Sequence, residues 1–184
     1  MLQLRGNAAL STFRLNKLMQ QIQQVLPEVS HLQSEFIHLI DMDGSLPPEQ
    51  LAVLERILEY GPKSKKISTV QGSQIWVIPR PGTISPWSSK ATDIARQCGL
   101  TTIHRIERAM AYVVAKTDSQ SLSQTELEQI KPLLHDRMIE SVLDDINQAN
   151  VLFQHAEPRP LREIDILNGG AQALQDANQS MGLA

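Results

Sequence analysis

The sequence predicts an α+β fold made of two similar strand–helix–strand–helix halves, followed by a helical linker. Runs of strand-forming residues alternate along the chain with segments whose apolar residues recur at helical spacing. SLPPEQLAVLERIL, from Ser45, and SLSQTELEQIKPLL, from Ser121, also align without a gap. The alignment and the repeated element order indicate an internal duplication with pseudo-two-fold symmetry.

In the first half, turn residues and prolines separate the predicted elements. Gly6-Asn7 is expected to end the first strand. Pro27 is expected to end the first helix, because the residue before a proline disfavours helical backbone. Ser45 is a good N-cap with Pro47 just inside, so the second helix should start there. The predicted strands are 2–5 and 31–42, and the predicted helices are 10–26 and 46–59.

The second half repeats this order and adds a strand. Gly82 and Pro86 break the chain after a strand, and Gly99 suits the end of the next helix. For 136–143 a strand is expected, with a helix as the alternative. The predicted strands are 74–79, 102–116 and 136–143, and the predicted helices are 86–98, 121–134 and 170–182. Prolines and paired glycines before the last helix indicate a linker, so the predicted domains are 1–152 and 153–184.

Composition points to a soluble cytoplasmic protein that binds neither nucleic acid nor membrane. The net charge is −3 without a basic run, and no apolar stretch is long enough to cross a bilayer. The single cysteine, Cys98, excludes an internal disulfide and is expected to be buried.

The stretch RPGTISPWSSK raises the question of an anion site. Thr83, Ser85, Ser88, Ser89 and Lys90 surround a predicted helix N-terminus, where free N–H groups favour an anion. No phosphate-loop or dinucleotide motif is present. A structural interpretation is favoured: a serine N-cap, a proline at the first helical position and a tryptophan in the core, as in the first half with Ser11 and Phe13.

The strand 102–116 and the histidines are the remaining candidates for chemistry. Arg105 and Glu107 alternate with the apolar residues of that strand, which is typical of a solvated face and also fits the rim of an interface. The five histidines lack metal-ligand spacing, and no base is spaced to serve a nucleophile. The residues themselves predict no catalytic and no metal site.

Several segments together resemble a known family. LRGNAALSTFRLNKL, YGP, PRPGTISPWSSKATDIARQCGL, IHRIERAMAYVV, LHDRMIESV and DANQSMGLA resemble the amino-terminal region of the large single-chain phosphoribosylformylglycinamidine synthase, also called formylglycinamide ribonucleotide amidotransferase. The resemblance implies an enzyme of purine synthesis that uses ATP, magnesium and glutamine. It also implies an amino-terminal domain like a fused pair of the small subunit of split enzymes, which agrees with the repeat.

The resemblance implies that the ATP, magnesium and glutaminase residues lie outside this chain. We therefore expect a non-catalytic scaffold whose partners are the synthetase and glutaminase domains of the same polypeptide, and which organises the synthetase domain and the ammonia path. A free-standing interaction module and a small phosphate-binding enzyme built on Ser85–Lys90 remain alternatives. The end of the chain within a predicted helix suggests a shortened piece of a longer enzyme. The candidate interdomain contact residues are Thr83, Ser85, Ser88, Ser89, Lys90, Arg105 and Glu107.

Overall fold

The computed structural model describes residues 1–60, 71–117, 120–154 and 160–182. The chain divides into two compact units, Met1–Gln154 and His155–Ala184. In the second unit, helix α5, Ile166–Met181, contains one non-helical residue, Gly170, at φ +53°. The first unit contains the sheet and every other element named below, and its α+β architecture confirms the predicted fold class.

The sheet of the first unit is antiparallel throughout. Its strands follow the order β1-β2-β4-β3-β5, so that the two long strands, β2 and β4, lie next to each other. Phe36 of β2 pairs with Met110 of β4, and each is the eighth residue of its strand. The strands are β1 Leu2–Ala8, β2 Val29–Met42, β3 Ser73–Pro79, β4 Ile103–Lys116 and β5 Glu140–Leu143.

Four α-helices cover one face of this sheet. Ile22 of α1 and Ile130 of α4 pack with Tyr112 in one cluster, and Leu54 of α2 and Ala95 of α3 pack with other residues of the same sheet face in a second cluster. Side chains of β4 alternate between the faces, so Ala109 and Ala111 belong to the opposite face. The helices are α1 Thr12–Val25, α2 Pro48–Leu58, α3 Pro86–Gln97 and α4 Gln124–Leu134.

A 3-10 helix, Ile146–Phe153, covers the opposite face. Ile146, Ala149 and Leu152 are buried there against the strands. These three residues recur at the three-residue period of a 3-10 helix and complete the core, and the first unit ends at Gln154, two residues after the predicted end of the first domain at residue 152.

The two halves of the unit agree in element order and in the lengths of most corresponding elements, although α1 has 14 residues and α3 has 12. Strands β2 and β4 both have 14 residues, and helices α2 and α4 both have 11. The order β1-β2-β4-β3 is symmetric about the central pair. Superposition of the halves about a two-fold axis remains a prediction. If it holds, the axis passes near Phe36 and Met110.

Local signals misplaced several element ends. Strand β1 continues through Gly6-Asn7 because β2 supplies hydrogen-bond partners. A Cβ at Gly6 would lie 2.7 Å from Cε1 of His38, so only glycine fits there. Helix α2 starts after Pro47, without a side-chain cap, and not at Ser45. Helix α4 starts after Ser123, whose side chain forms a capping box with Glu126, and not at Ser121.

Two further predictions concern 136–143 and the core. Strand β5 begins only at Glu140, because Asp136 closes a turn: its side chain accepts from the Met138 N–H at 2.8 Å.

Phe13 is exposed, and so is Cys98, so the predictions that they are buried are wrong. Both lie on helix surfaces or ends that face away from the sheet, which helical periodicity alone did not reveal.

Candidate functional site

A cleft of about 570 Å³ opens beside the N-terminus of α3. Its floor comes from the centre of the sheet, where β2 and β4 pair, and its walls come from the loop after β3 and the turn before β5. The lining is mostly apolar. The residues used below are Phe36, Arg80, Thr83, Ile84, Ser85, Trp87, Arg108, Met110, Met138, Ile139 and Glu140.

The loop after β3 holds its shape through short-range hydrogen bonds. Gly82 adopts φ +84°, which favours glycine, and the hydroxyl of Thr83 donates to the carbonyl of Arg80 at 2.7 Å. Ser85 has extended backbone, and its Oγ accepts from the Ser88 N–H at 3.0 Å. Pro86 occupies the first helical position. The predicted serine cap is therefore confirmed.

An aromatic cluster surrounds the guanidinium of Arg108. The Arg108 Cζ lies 4.3 Å from the ring centroid of Phe36, 4.7 Å from that of Trp87 and 5.9 Å from that of Tyr60. The ring of His38 stacks on Trp87 with centroids 5.7 Å apart. These five residues come from four elements or loops, so no sequence motif reveals the cluster.

Arg108 provides the positive charge of this cluster. Burial, and then the charge of Arg108, lowers the pKa of His38 to about 4, so the imidazole is neutral at pH 7. His38 Nε2 lies 2.8 Å from Tyr60 Oη, which also accepts from Arg108 Nη1 at 3.4 Å. Burial raises the pKa of Tyr60, so the phenol is neutral as well. Among the described residues no carboxylate pairs with Arg108.

Arg105 and Glu107 lie on the opposite face of the sheet, beneath the 3-10 helix. The Glu107 side chain is 0% exposed and that of Arg105 16%, so the prediction of a solvated face is wrong. Arg105 pairs with Glu107 Oε1, and it also donates to the carbonyls of Leu152 at 2.8 Å and Thr83 at 2.7 Å. The pair ties β4 to the 3-10 helix and to the loop of the cleft. A side chain without exposed surface, such as Glu107, cannot contact another domain.

The other candidate contact residues are divided between different places. Thr83 and Ser85 line the cleft. Ser88 is buried inside the first turn of α3, whereas Ser89 and Lys90 are exposed. Lys90 lines a separate hollow between α2 and α3. Sequence reasoning missed Arg108, the aromatic residues around it and the turn before β5, whose sequence separation hid their proximity.

Neither a metal centre nor a membrane-spanning helix is found in the part of the chain that the structure describes. Within those residues, no group of three or more His, Cys, Asp or Glu side chains could hold a metal ion. None of the described helices is long and apolar enough to cross a membrane.

Fold and cleft together define a domain class: an antiparallel α+β unit with helices on one face and an apolar, arginine-bearing cleft at the middle of that face. A family model described as formylglycinamide ribonucleotide amidotransferase N-terminal matches residues 35–153. The chain belongs to this family, which confirms the resemblance found in the sequence. The match runs from β2 to the end of the 3-10 helix and implies a role in purine biosynthesis as part of an amidotransferase.

Proposed function

We propose that this chain is the amino-terminal scaffold domain of phosphoribosylformylglycinamidine synthase. That enzyme would use ATP, magnesium and glutamine to convert formylglycinamide ribonucleotide into formylglycinamidine ribonucleotide in the cytoplasm. The observation that carries the proposal is the family match over residues 35–153, which includes the second part of β2, the whole of β4 and the 3-10 helix.

The chain's own part in this enzyme is to bind and orient other domains. Catalysis, ATP and magnesium belong to the synthetase domain, and ammonia is released by the glutaminase domain. The cleft supports this division of labour. A guanidinium is a poor proton-transfer group, and His38, which stacks on the cleft residue Trp87, is a weak base with a pKa of about 4. An apolar cleft with a cationic centre is suited to recognition.

The test combines the purified chain with the remainder of the parent enzyme, expressed separately. Glutamate release and ADP formation are measured for each part and for the mixture. We expect no turnover from the chain alone, and higher glutamine-dependent activity of the remainder when the chain is added. The proposal fails if the chain alone turns over after repurification and loses that activity when one of its own residues is changed.

The size of the natural polypeptide distinguishes a covalent domain from a free-standing module that assembles with separate catalytic subunits. An antibody raised against this chain should detect, in extracts of the source cells, a band far larger than 20.5 kDa. A band at about that mass would support the free-standing module.

A further inference from the structure

We infer that the cleft receives a protein segment in which an aspartate or glutamate is flanked by apolar side chains, with Arg108 pairing with the carboxylate. The inference deepens the proposed function, on which it rests for the identity of the partner as another domain of the same enzyme. Three observations carry it: the hydrogen-bond partners of the Arg108 guanidinium among the described residues, the charges around it, and the exposed apolar side chains at the rim of the cleft.

Ring contacts hold the guanidinium of Arg108 in place, and few hydrogen-bond acceptors among the described residues reach it. It carries five N–H donors, and the described residues offer it one hydrogen bond, the 3.4 Å contact to Tyr60. Phe36 and Trp87 lie against it and restrict its position. Arg105, in the same strand, has a carboxylate and two carbonyls as partners. A preorganised fork of donors at a partly buried site is suited to bidentate pairing with a carboxylate.

The charges at the cleft favour an anionic partner. Of the described residues that line it, Arg80 and Arg108 are basic and Glu140 is acidic. Glu140 is already engaged, because its Oε2 accepts from the Asp136 N–H at 2.8 Å. The formal balance of these three residues is one positive charge, so an incoming carboxylate gains from charge complementarity.

The rim of the cleft shows that the partner is larger than a small anion. Ile84 is 59% exposed, Met138 79% and Ile139 64%, and all three line the cleft. A phosphate or a small carboxylate would leave these side chains in water, whereas a segment with apolar residues beside its acid would cover them.

The helix N-terminus offers little to a phosphate. Pro86 has no N–H, and the Ser88 N–H already donates to Ser85 Oγ. Two of the first three helical positions therefore supply no free N–H donor for a phosphate. This favours a carboxylate bound by Arg108 over a phosphate bound by the helix N-terminus.

The experiment selects binders from a random peptide library displayed on phage, with the purified chain as bait. We expect enriched peptides to carry an acidic residue next to apolar ones. Their affinity should fall about tenfold or more on Arg108→Gln, because that variant removes one partner of a desolvated pair. Arg14→Gln is the matched control, since Arg14 is an exposed arginine that does not line the cleft.

Two further variants protect the test against misfolding. Arg108→Lys keeps the charge but loses the fork, so it should weaken binding less than Arg108→Gln. Met138→Ser changes an exposed side chain and should preserve the fold while weakening binding. Enriched peptides without an acid, or peptides that bind Arg108→Gln or Met138→Ser as tightly as the unaltered chain, would overturn the inference.

Hydrogen exchange in the parent enzyme separates this inference from the proposed function. Amides around Ile84 and Ile139 should exchange more slowly in the parent than in the isolated chain, and Arg108→Gln in the parent should restore fast exchange. If the chain selects acidic peptides while the parent enzyme shows no slower exchange at these amides, that combination would support the proposed chemistry of the cleft and refute the placement of the partner in the same polypeptide. Failure to select acidic peptides would overturn the inference whatever the parent shows.

Discussion

Replacing Arg105 with methionine should destabilise the domain severely, although the residue touches no proposed ligand. The guanidinium pairs with the fully buried carboxylate of Glu107 and also donates to the carbonyls of Leu152 and Thr83. Methionine matches the length of the aliphatic stem but removes every donor. A carboxylate would then remain beneath the 3-10 helix without its cation.

Removing one partner of a buried ion pair costs about 3–5 kcal/mol, because the other charge is left desolvated and uncompensated. The stability of a domain is typically about 5–15 kcal/mol, so this one change would remove a large part of it. Arg105→Met/Glu107→Leu removes both charges. The double variant should be more stable than Arg105→Met alone, although the carbonyls of Leu152 and Thr83 still lack their donors.

Urea unfolding followed by circular dichroism measures these differences, with Arg14→Met as the exposed control. The single variant Glu107→Leu completes a double-mutant cycle between Arg105 and Glu107. The reasoning is refuted if Arg105→Met lies within about 0.5 kcal/mol of the control, which is the range of ordinary surface substitutions. Strict additivity of the two single changes would also refute it.

Two other predictions test the histidine and the helix cap. Burial and Arg108 hold the pKa of His38 at about 4, against 6.5 for an ordinary histidine, so between these values only the unfolded chain gains the proton. The free energy of unfolding should therefore decrease as the pH falls from about 6.5 to 4, by on the order of 3 kcal/mol, and His38→Gln should flatten the slope in urea titrations at several pH values. An unchanged slope would contradict this assignment. Ser85→Ala should cost about 0.5–2 kcal/mol through the lost bond to the Ser88 N–H, and Ser85→Asp should recover most of it. A loss no larger than that of Ser89→Ala would show that the cap contributes nothing.

Hydrophobic periodicity and helix capping depend on residues a few positions apart, so the sequence by itself predicted where helices and strands lie. Helical spacing located α1 and α3, and serine followed by proline marked the start of α3 at Pro86. Runs of strand-forming residues identified β2 and β4 as long strands. The segments that resemble the amidotransferase family are also recognisable in the amino-acid sequence by itself, and the family match over 35–153 confirmed them.

What lies opposite a side chain depends on which strands pair and which segments cover them, and only the tertiary structure decided that. Strand alternation correctly placed Arg105 and Glu107 on the face away from Tyr112, but the 3-10 helix turned that face into core. The cluster around Arg108 arises because β2, β4 and α3 bring distant residues to one point of the sheet. A local pattern gives the direction of a side chain, whereas its burial and its partners come from chain segments far away in sequence.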